Sequence, residues 1–235
     1  SERHLAWENV ARKLAHEIKN PLTPIQLSID RIKEKYLNKI SHDKKNFGTY
    51  LSTINRQIKD IENLVNEFSD FARMPKPIFL KINLKDIIER SVQLHRLTQK
   101  KIKFNLSNVV KKHFVKGDEE QLNRVYLNLI KNSIESLNEK INKNKDFSPK
   151  IDIEIFEDKD YIYNSIEDNG IGFNQADVRK MVTPYYTTKT KGTGLGLAIV
   201  NKIINDHNGN INFISTKNGA KVEISIPKEK WLVKY

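Results

Sequence analysis

The chain has 235 residues, of which 38% are hydrophobic, no cysteine and a formal net charge of +12. This length is enough for two compact domains, each with its own core. The lack of cysteine excludes disulfides, thiolate metal sites and cysteine nucleophiles. The sequence contains no apolar run long enough to cross a membrane and no signal-peptide pattern.

The positive charge is spread along the chain, with a net +3 in residues 1–75 and a net +9 in residues 76–235. Basic side chains are mixed with acidic ones, and no helix-turn-helix or RNA-binding signature accompanies them. We therefore expect a solvated surface that attracts anionic nucleotide or an acidic partner, and no nucleic acid as a main ligand.

Two long amphipathic helices are predicted at the start of the chain. Apolar residues recur mostly at spacings of three and four over residues 5–29 and again over residues 51–71. The polar stretch at 38–48 predicts a turn, so that the helices form an antiparallel hairpin. Because one hairpin buries little apolar surface, we expect residues 1–73 of two copies to form a four-helix bundle, which makes the protein a homodimer.

A domain boundary is predicted at the segment RMPKP, because Pro75 and Pro77 cannot continue a helix. The first domain then covers residues 1–75 and the second residues 76–235. In the second, sequence patterns predict strands at 79–84, 101–106, 150–158, 161–168, 210–216 and 220–227, and helices at 84–97, 118–141 and 194–207. Helices and antiparallel-looking strands that share one core predict an α/β sandwich, within an α+β fold overall.

The first candidate site is the segment LAHEIKNPLTPIQLS on the first helix. His16 is a candidate nucleophile, because histidine readily offers a neutral imidazole with a free ring nitrogen near neutral pH. Glu17 is a candidate general base, although adjacent residues of a helix do not face each other. Asn20 lies one turn after His16 on the same face, where an amide could orient a water. Alone, the segment is more typical of a surface histidine beside a helix kink.

Two candidate ligand-binding motifs lie in the second domain. Asn128 and Asn132 are four residues apart on one helix face, and amide oxygens suit Mg²⁺ that is held mainly by phosphates and water. Asp168, Gly170 and Gly172 occur in the segment IEDNGIGF after a strand. A carboxylate there can accept a hydrogen bond from an adenine amino group, and the glycines let the base approach the backbone. Each pattern alone also fits a polar helix face or an ordinary turn.

A third motif of the second domain lies at 184–200, where Gly192, Gly194 and Gly196 lead into a helix and Lys189 precedes them. Backbone N–H groups at a helix start bind phosphate, and a lysine adds a positive charge. The polar stretch before this helix predicts a lid over the phosphates. Glycine-rich loops before helices are common, so this motif alone is moderate evidence.

Taken in order, these motifs resemble those of sensor histidine kinases along essentially the whole chain. LAHEIKNP is similar to their histidine box, NLIKNSIES to their asparagine box, EDNGIGF and GTGLGLAIV to their glycine boxes, and PYYTTK to their aromatic box. The second domain resembles the ATP-binding fold that they share with the gyrase, Hsp90 and MutL families. AWENVARKLAHEIKNPLTPIQLS and EFSDFARMPKP are similar to NtrY-like nitrogen-regulation sensors (NtrB/NtrY type).

The resemblance implies a role for each matching residue. His16 matches the phosphoacceptor, and Glu17 and Asn20 match the acid/base and phosphatase positions. Asn128 and Asn132 match the pair of the asparagine box, of which Asn132 matches the magnesium ligand. Asp168 matches the carboxylate that reads adenine.

The sequence departs from the family pattern at few places. Ser133 and Ser136 stand where alanine is frequent, and Tyr185 and Tyr186 stand where phenylalanine is frequent. These changes keep the size of the side chain roughly constant. The third glycine patch is reduced to Gly219, to which the sequence assigns no role.

The implied activity is that of an ATP-dependent protein-histidine kinase. It phosphorylates His16, passes the phosphoryl group to an aspartate of a response-regulator receiver domain, and removes it from that domain as a phosphatase. ATP and Mg²⁺ are the implied cofactors, and the receiver domain and a second copy of the chain are the implied partners. Because the chain opens within a helix, we expect a longer protein that is anchored in the inner membrane, with this part cytoplasmic and without direct membrane contact.

Two other functions remain open on the sequence. One is a pseudokinase or dimerisation scaffold that binds nucleotide without phosphotransfer. The other is an ATPase of the Hsp90 or MutL type, in which a glutamate four residues before the magnesium asparagine activates water. This chain has Asn128 at that position, which disfavours direct hydrolysis.

Overall fold

The computed structural model describes residues 2–107, 112–144, 146–183 and 194–228. The chain divides into two compact units: the first contains the residues up to Pro75, and the second contains most of the residues from Lys76 onward. The first unit is a pair of long helices and the second is a mixture of helices and strands, so the predicted helical hairpin followed by an α/β sandwich is confirmed. Within the described residues, no helix is both long and apolar enough to span a membrane.

The first unit consists of helices α1 (Glu2–Tyr36) and α2 (Lys44–Ala72). Gln26 on α1 donates a hydrogen bond from Nε2 to Oδ1 of Asn55 on α2 at 3.1 Å, and Nδ2 of Asn55 donates to Oδ1 of Asp30 at 3.3 Å. On α2, the buried apolar residues recur at every seventh position, which is the repeat of a helix that packs along one stripe. They are Leu51, Ile58, Val65 and Ala72.

The turn between the two helices is shorter than the predicted stretch of 38–48. Helix α2 already begins at Lys44, so the prediction of a turn over residues 44–48 was wrong. The turn covers residues 37–43 and ends at Asp43, which has a φ of 59° in the left-handed region. Aspartate tolerates this conformation better than most residues do, so a single residue ends the turn and the polar residues after it enter the helix.

The second unit alternates helices and strands. In chain order its elements are β1 (Leu80–Asn83), α3 (Leu84–Thr98), β2 (Lys103–Ser107), β3 (Phe114–Gly117), α4 (Glu119–Lys143), β4 (Lys150–Glu157), β5 (Tyr161–Asp168), α5 (Val178–Met181), α6 (Gly196–Asp206), β6 (Asn210–Ser215) and β7 (Ala220–Pro227). Five strands form one sheet in the order β2-β4-β5-β7-β6. Helix α4 packs against this sheet and also contacts α3 and α6. Every second residue of β4 is buried in this core, namely Ile151, Ile153 and Ile155.

The strands differ from the prediction in two respects. Strand β3 was not predicted; it pairs with β1 as a separate antiparallel sheet in which Ile82 lies opposite Val115. Strands β2 and β4 pair in parallel, whereas the remaining pairs of the large sheet are antiparallel as expected. A parallel pair needs a long crossover connection, and α4 provides it between β2 and β4.

Asp118 joins three elements at the start of α4. Its Oδ1 accepts from the backbone N–H of Gln121 at 3.0 Å and caps the helix. Its Oδ2 accepts from the backbone N–H of Ile78 at 2.8 Å, just after the predicted domain boundary. Its own backbone N–H donates to Nε2 of His207 at 2.9 Å, at the end of α6. Because Nε2 accepts, Nδ1 of His207 donates to the carbonyl of Ile203 at 2.7 Å, and the ring is held neutral.

We expect the second unit to lose stability as the pH falls below 6.5, the ordinary pKa of histidine. Burial lowers the pKa of His207, against the effects of the Ile203 carbonyl and of the carboxylates of Asp118 and Asp206. Between the folded and unfolded pKa values the unfolded chain binds more protons, so the free energy of unfolding falls as the pH falls.

This expectation can be measured by urea unfolding of the parent and of His207→Gln at about pH 7.5 and about pH 5.5, on either side of the ordinary histidine pKa. The parent should lose more unfolding free energy than the variant, with a slope for this one group of at most about 1.4 kcal/mol per pH unit. An equal loss in both proteins would show that His207 does not cause the effect.

Candidate functional site

One face of helix α4 forms the floor of the candidate nucleotide site. Asn128, Asn132, Ser136 and Lys140 follow each other at intervals of four residues, so their side chains lie along one side of the helix. The opposite side of α4 is apolar and buried in the core, through residues such as Leu122, Val125, Leu129 and Ile130. The sequence thus produces an amphipathic helix whose polar face is available for a ligand.

Asp168 ends strand β5 beside this face and is almost completely buried. Its Oδ1 accepts from the hydroxyl of Ser136 at 3.2 Å and from the backbone N–H of Gly170 at 3.0 Å. Burial raises the pKa of Asp168, while the hydrogen bonds from Gly170, Ser133 and Ser136 oppose that rise. Hydrogen bonds within the protein therefore fix the position and orientation of this carboxyl group. A group that recognises a base must be fixed in this way.

Glycine is required at both positions 170 and 172, because neighbouring atoms leave no room for a Cβ. A Cβ on Gly170 would collide with Oγ of Ser136 and lie 2.8 Å from Oδ1 of Asp168. Gly172 has a φ of 68°, and a Cβ there would lie 2.8 Å from the carbonyl oxygen of Gly219. At both positions the backbone therefore lies too close to neighbouring atoms for any residue that has a side chain.

The start of α6 reaches the other end of the polar face. Gly194 has a φ of 71°, and Gly196 begins the helix. A Cβ placed on Gly196 would lie 3.7 Å from Oδ1 of Asn128, so the two elements are neighbours. The N–H groups in the first turn of α6 can bind phosphate at this end. The predicted ligands Lys189 and Gly192 lie outside the described residues, as does most of the predicted lid.

The polar face of α4 has the length that a nucleotide needs. Eight residues separate Asn128 beside α6 from Ser136 beside Asp168, which corresponds to about 12 Å along the helix axis. An adenine ring on Asp168 and phosphates at the start of α6 would span this distance, with Asn132 between them. The residues predicted to bind nucleotide in the second unit are thus brought to one surface wherever the structure describes them.

The predicted phosphoacceptor segment lies on α1 in the first unit. His16, Glu17 and Asn20 are all exposed to solvent. The carboxylate of Glu17 lies 4.0 Å from the ammonium of Lys13, and this exposed pair contributes little stability. Helix α1 continues through Pro21 and Pro24.

Sequence reasoning missed two residues of the candidate nucleotide site. Ser136 donates to Asp168 and accepts from the N–H of Ile171 at 3.0 Å, although in the sequence it stands only as a departure from alanine. Lys140 contacts the loop after Asp168. The signal that could have found both is the spacing of four residues, continued from Asn128 and Asn132.

Two family models match the chain. The His Kinase A (phospho-acceptor) domain matches residues 6–77. The histidine kinase-, DNA gyrase B- and HSP90-like ATPase matches residues 117–230. The first contains the exposed histidine segment, and the second contains the polar face of α4, the Asp168 loop and the start of α6.

Relatives match over nearly the whole chain. The nitrogen regulation protein NtrY of Azorhizobium caulinodans is 37% identical over 231 residues, which are 97% of this chain and 30% of that protein. A putative sensor histidine kinase NtrY-like of Rickettsia prowazekii is 36% identical over 225 residues, which are 95% of this chain and 36% of that protein. The chain therefore spans about a third of the length of the curated relatives it matches.

A solved structure shares the fold. The histidine kinase ThkA, in complex with the response regulator protein TrrA, matches with a TM-score of 0.66 and 23% identity, over 97% of this chain and 64% of that one. The two domain models match in the order typical of these kinases, and the relatives match along nearly the full length of the chain. Both findings agree with the geometry of the site. The chain belongs to the sensor histidine kinases, of which it carries the phospho-acceptor and ATPase domains.

Proposed function

We propose that this chain uses ATP to phosphorylate His16 and then passes the phosphoryl group to an aspartate of a response-regulator receiver domain. Residues 1–75 would serve dimerisation and phosphotransfer, and residues 76–235 would bind ATP. The observation that carries the proposal is the continuous polar face of α4, which joins the start of α6 to the fixed carboxyl of Asp168.

In the proposed complex, adenine donates a hydrogen bond from its amino group to Asp168. Gly170 and Gly172 let the loop after Asp168 pack against Ser136 and Gly219, where a Cβ would meet protein atoms. The phosphates lie near Gly194, Gly196 and the first N–H groups of α6. Asn128 lies beside that helix start and can donate a hydrogen bond to a phosphate oxygen.

Mg²⁺ would be held by Asn132 together with the phosphates. An amide oxygen is a suitable hard ligand for an ion whose remaining ligands are phosphate and water. In the described part of the chain, no group of three or more histidine and carboxylate side chains is placed to hold a metal ion. We therefore assign the ion to the bound nucleotide, where it would neutralise phosphate charge.

The proposed transfer forms a bond between a ring nitrogen of His16 and the γ-phosphorus, while the bond to the bridging oxygen breaks and ADP leaves. The ring proton passes to a base, a role that we assign to Glu17. Phosphoryl transfer depends mainly on positioning and charge neutralisation. Helix α1 must therefore mainly keep His16 accessible to both the nucleotide and the receiver. The phosphohistidine then gives its phosphoryl group to the receiver aspartate.

The hairpin is proposed to dimerise through its exposed apolar residues. Among the side chains of α1 and α2 that the structure describes, six aliphatic ones are between 39% and 46% exposed in one chain, namely Leu14, Ile18, Ile25, Ile54, Ile61 and Leu64. Pairing with a second hairpin would bury them in a four-helix bundle. The receiver domain would dock on the lower part of the same hairpin.

The setting of this core is proposed from its relatives. Two of them are named for nitrogen regulation or as NtrY-like, and the chain corresponds to only about a third of each. We infer that it belongs to a larger nitrogen-regulation sensor that is anchored in the inner membrane. The part described here would lie on the cytoplasmic side.

The proposed activity is tested by incubating the protein with γ-labelled ATP and treating the labelled product with acid and with base. Phosphohistidine is a phosphoramidate, so the label should be lost in acid and retained in base. Absence of label despite ATP binding would favour a scaffold. Release of labelled phosphate without labelled protein would favour a simple ATPase.

Asn20→Ala is expected to retain most autophosphorylation and to lose acceleration of receiver dephosphorylation. Asn20 lies one turn from His16 on an exposed face, where its amide can hold a water in line with the phosphorus. Loss of this positioning hydrogen bond should slow dephosphorylation about 10- to 100-fold. The rates of both reactions and the thermal midpoint are measured on one preparation, with the cognate receiver.

Ser28→Ala is the matched control for this prediction. Ser28 is also an exposed polar residue of α1, and its hydroxyl only donates to the carbonyl of Pro24 at 2.8 Å. This variant should dephosphorylate the receiver at the parental rate. If Asn20→Ala does the same, Asn20 has no phosphatase role; if it loses stability and both activities together, its role is structural.

A further inference from the structure

Lys140 holds a cluster of backbone carbonyls behind the Asp168 loop. Its ammonium lies 2.6 Å from the carbonyl oxygen of Asn169, 3.0 Å from that of Gly170 and 3.3 Å from that of Asn218. A lysine ammonium has three N–H donors, one for each of these acceptors. The first two carbonyls belong to the loop after β5, and the third belongs to the turn between β6 and β7.

The surroundings of Lys140 fix its side chain further. The ammonium lies 4.5 Å from the centre of the Phe147 ring, a cation–π distance. In the part of the chain that the structure describes, no carboxylate pairs with it, so its charge is directed at carbonyl dipoles. Lys140 also lies in the last turn of α4, where a positive charge is favourable.

The two segments that Lys140 joins are in direct contact. A Cβ on Gly219 would collide with the carbonyl oxygen of Asp168 and would lie 2.8 Å from Cα of Asn169. The absence of a side chain at Gly219 lets the β6–β7 turn close against the loop, and Gly219 thereby acquires a role that the sequence did not assign. Without the ammonium, these three carbonyl oxygens would lose the protein donor that they share.

The side chain of Asn169 fixes the loop from its other side. Its Oδ1 accepts from the N–H of Lys150 at 2.8 Å, and its Nδ2 donates to the carbonyl of Ser148 at 2.9 Å. These bonds leave the main-chain carbonyls of Asn169 and Gly170 to Lys140. Lys140 thus ties the loop after Asp168 to α4 by two hydrogen bonds.

We propose that Lys140 is a positioning residue that sets the geometry of the adenine pocket by clamping the Asp168 loop to the β6–β7 turn. The proposal rests on the nucleotide-binding function proposed above. It predicts that loss of the ammonium weakens recognition of the base and leaves the phosphate end of the site, at Asn128 and Gly196, as it is.

Lys140→Met tests the proposal, since methionine keeps an unbranched side chain and removes the charge and the donors. Affinity for ADP should fall about 10-fold, the effect of losing a hydrogen-bonded positioning group, and the preference for ATP over GTP should fall with it. In autophosphorylation, KM for ATP should rise while the rate at saturating ATP stays near that of the parent. A purely structural role would change neither the base preference nor KM of the folded protein.

Lys143→Met is the matched control. Lys143 is a lysine in the same last turn of α4, but it is exposed, and among the described residues its ion pair is with Glu139 alone, at 2.8 Å. This variant should keep the parental ADP affinity and base preference. If Lys140→Met does not fold, Lys140→Gln replaces it; this shorter residue keeps a donor group but lacks the reach, and the same loss is expected.

The possible failures are distinguishable. If the parent binds ADP and Lys140→Met binds it equally well with unchanged preference for ATP over GTP, the role of Lys140 is wrong and the proposed function stands. If the rate at saturating ATP falls in step with the thermal midpoint while KM is unchanged, Lys140 has a structural role only. If the parent binds no adenine nucleotide, both the function and the role of Lys140 are overturned.

Discussion

His16→Gln should abolish the labelling of the protein by γ-labelled ATP and leave its affinity for ATP nearly unchanged. Glutamine approximates the polarity of histidine but has no nucleophilic ring nitrogen, so no phosphoramidate can form. Asn128, Asn132, Asp168 and Gly196, which are assigned to nucleotide binding, lie in the second unit. His16 lies on α1 in the first unit. Label incorporation and equilibrium ATP binding on the same preparation measure the two properties separately.

His42→Gln is the control for that experiment, because His42 is also an exposed histidine of the first unit. It should incorporate label at the parental rate. Label that persists on His16→Gln, at a level comparable to the parent, would mean that another residue accepts the phosphoryl group.

Asp168→Asn should weaken ATP binding about 10- to 100-fold, since it affects one or two hydrogen bonds and each 1.4 kcal/mol corresponds to about a factor of ten. The carboxyl accepts from Ser136 and from the N–H of Gly170 at 3.0 Å. An amide nitrogen turned toward either donor, or toward the adenine amino group, would place two donors against each other. Equilibrium binding of ATP and GTP measures the loss, and the preference for ATP should also decrease.

Glu167→Gln provides the comparison for Asp168→Asn. The two residues are adjacent on β5, but successive side chains of a strand point to opposite faces of the sheet, and Glu167 is away from α4. This variant should bind ATP like the parent. If the parent binds ATP and GTP equally, or if Asp168→Asn does not alter their ratio, the assignment of Asp168 to adenine is incorrect.

Local periodicity was sufficient to predict most elements of the fold. The helices and strands from α3 to β7 that carry clear apolar patterns lie close to their predicted ranges, with β5 at 161–168 as predicted. Strand β3 has only four residues, and its pairing with β1 depends on a partner distant in the sequence. The parallel pairing of β2 with β4 is likewise set by the packing of α4 on the sheet, which single-strand patterns do not contain.

The candidate site could be predicted where a side chain itself defines the chemistry. Asp168, Asn128 and Asn132 were proposed from residue type and spacing, and the structure places them around one helix face. Ser136 and Lys140 instead form hydrogen bonds within the protein. Ser136 donates to Oδ1 of Asp168, and Lys140 donates to backbone carbonyls. Such contacts depend on which loops meet, so the sequence identifies these residues only by their continued spacing on α4.

The assignment of His16 as phosphoacceptor is tested most directly by locating the phosphoryl group in the parent protein. Trypsin cleaves after Lys13 and Lys19, which releases residues 14–19 as a peptide with His16 as its only histidine. After reaction with ATP and digestion under alkaline conditions that preserve phosphohistidine, mass spectrometry should find the phosphoryl group on this peptide and on His16 within it. A phosphorylated protein in which this peptide remains unmodified would contradict the proposed function.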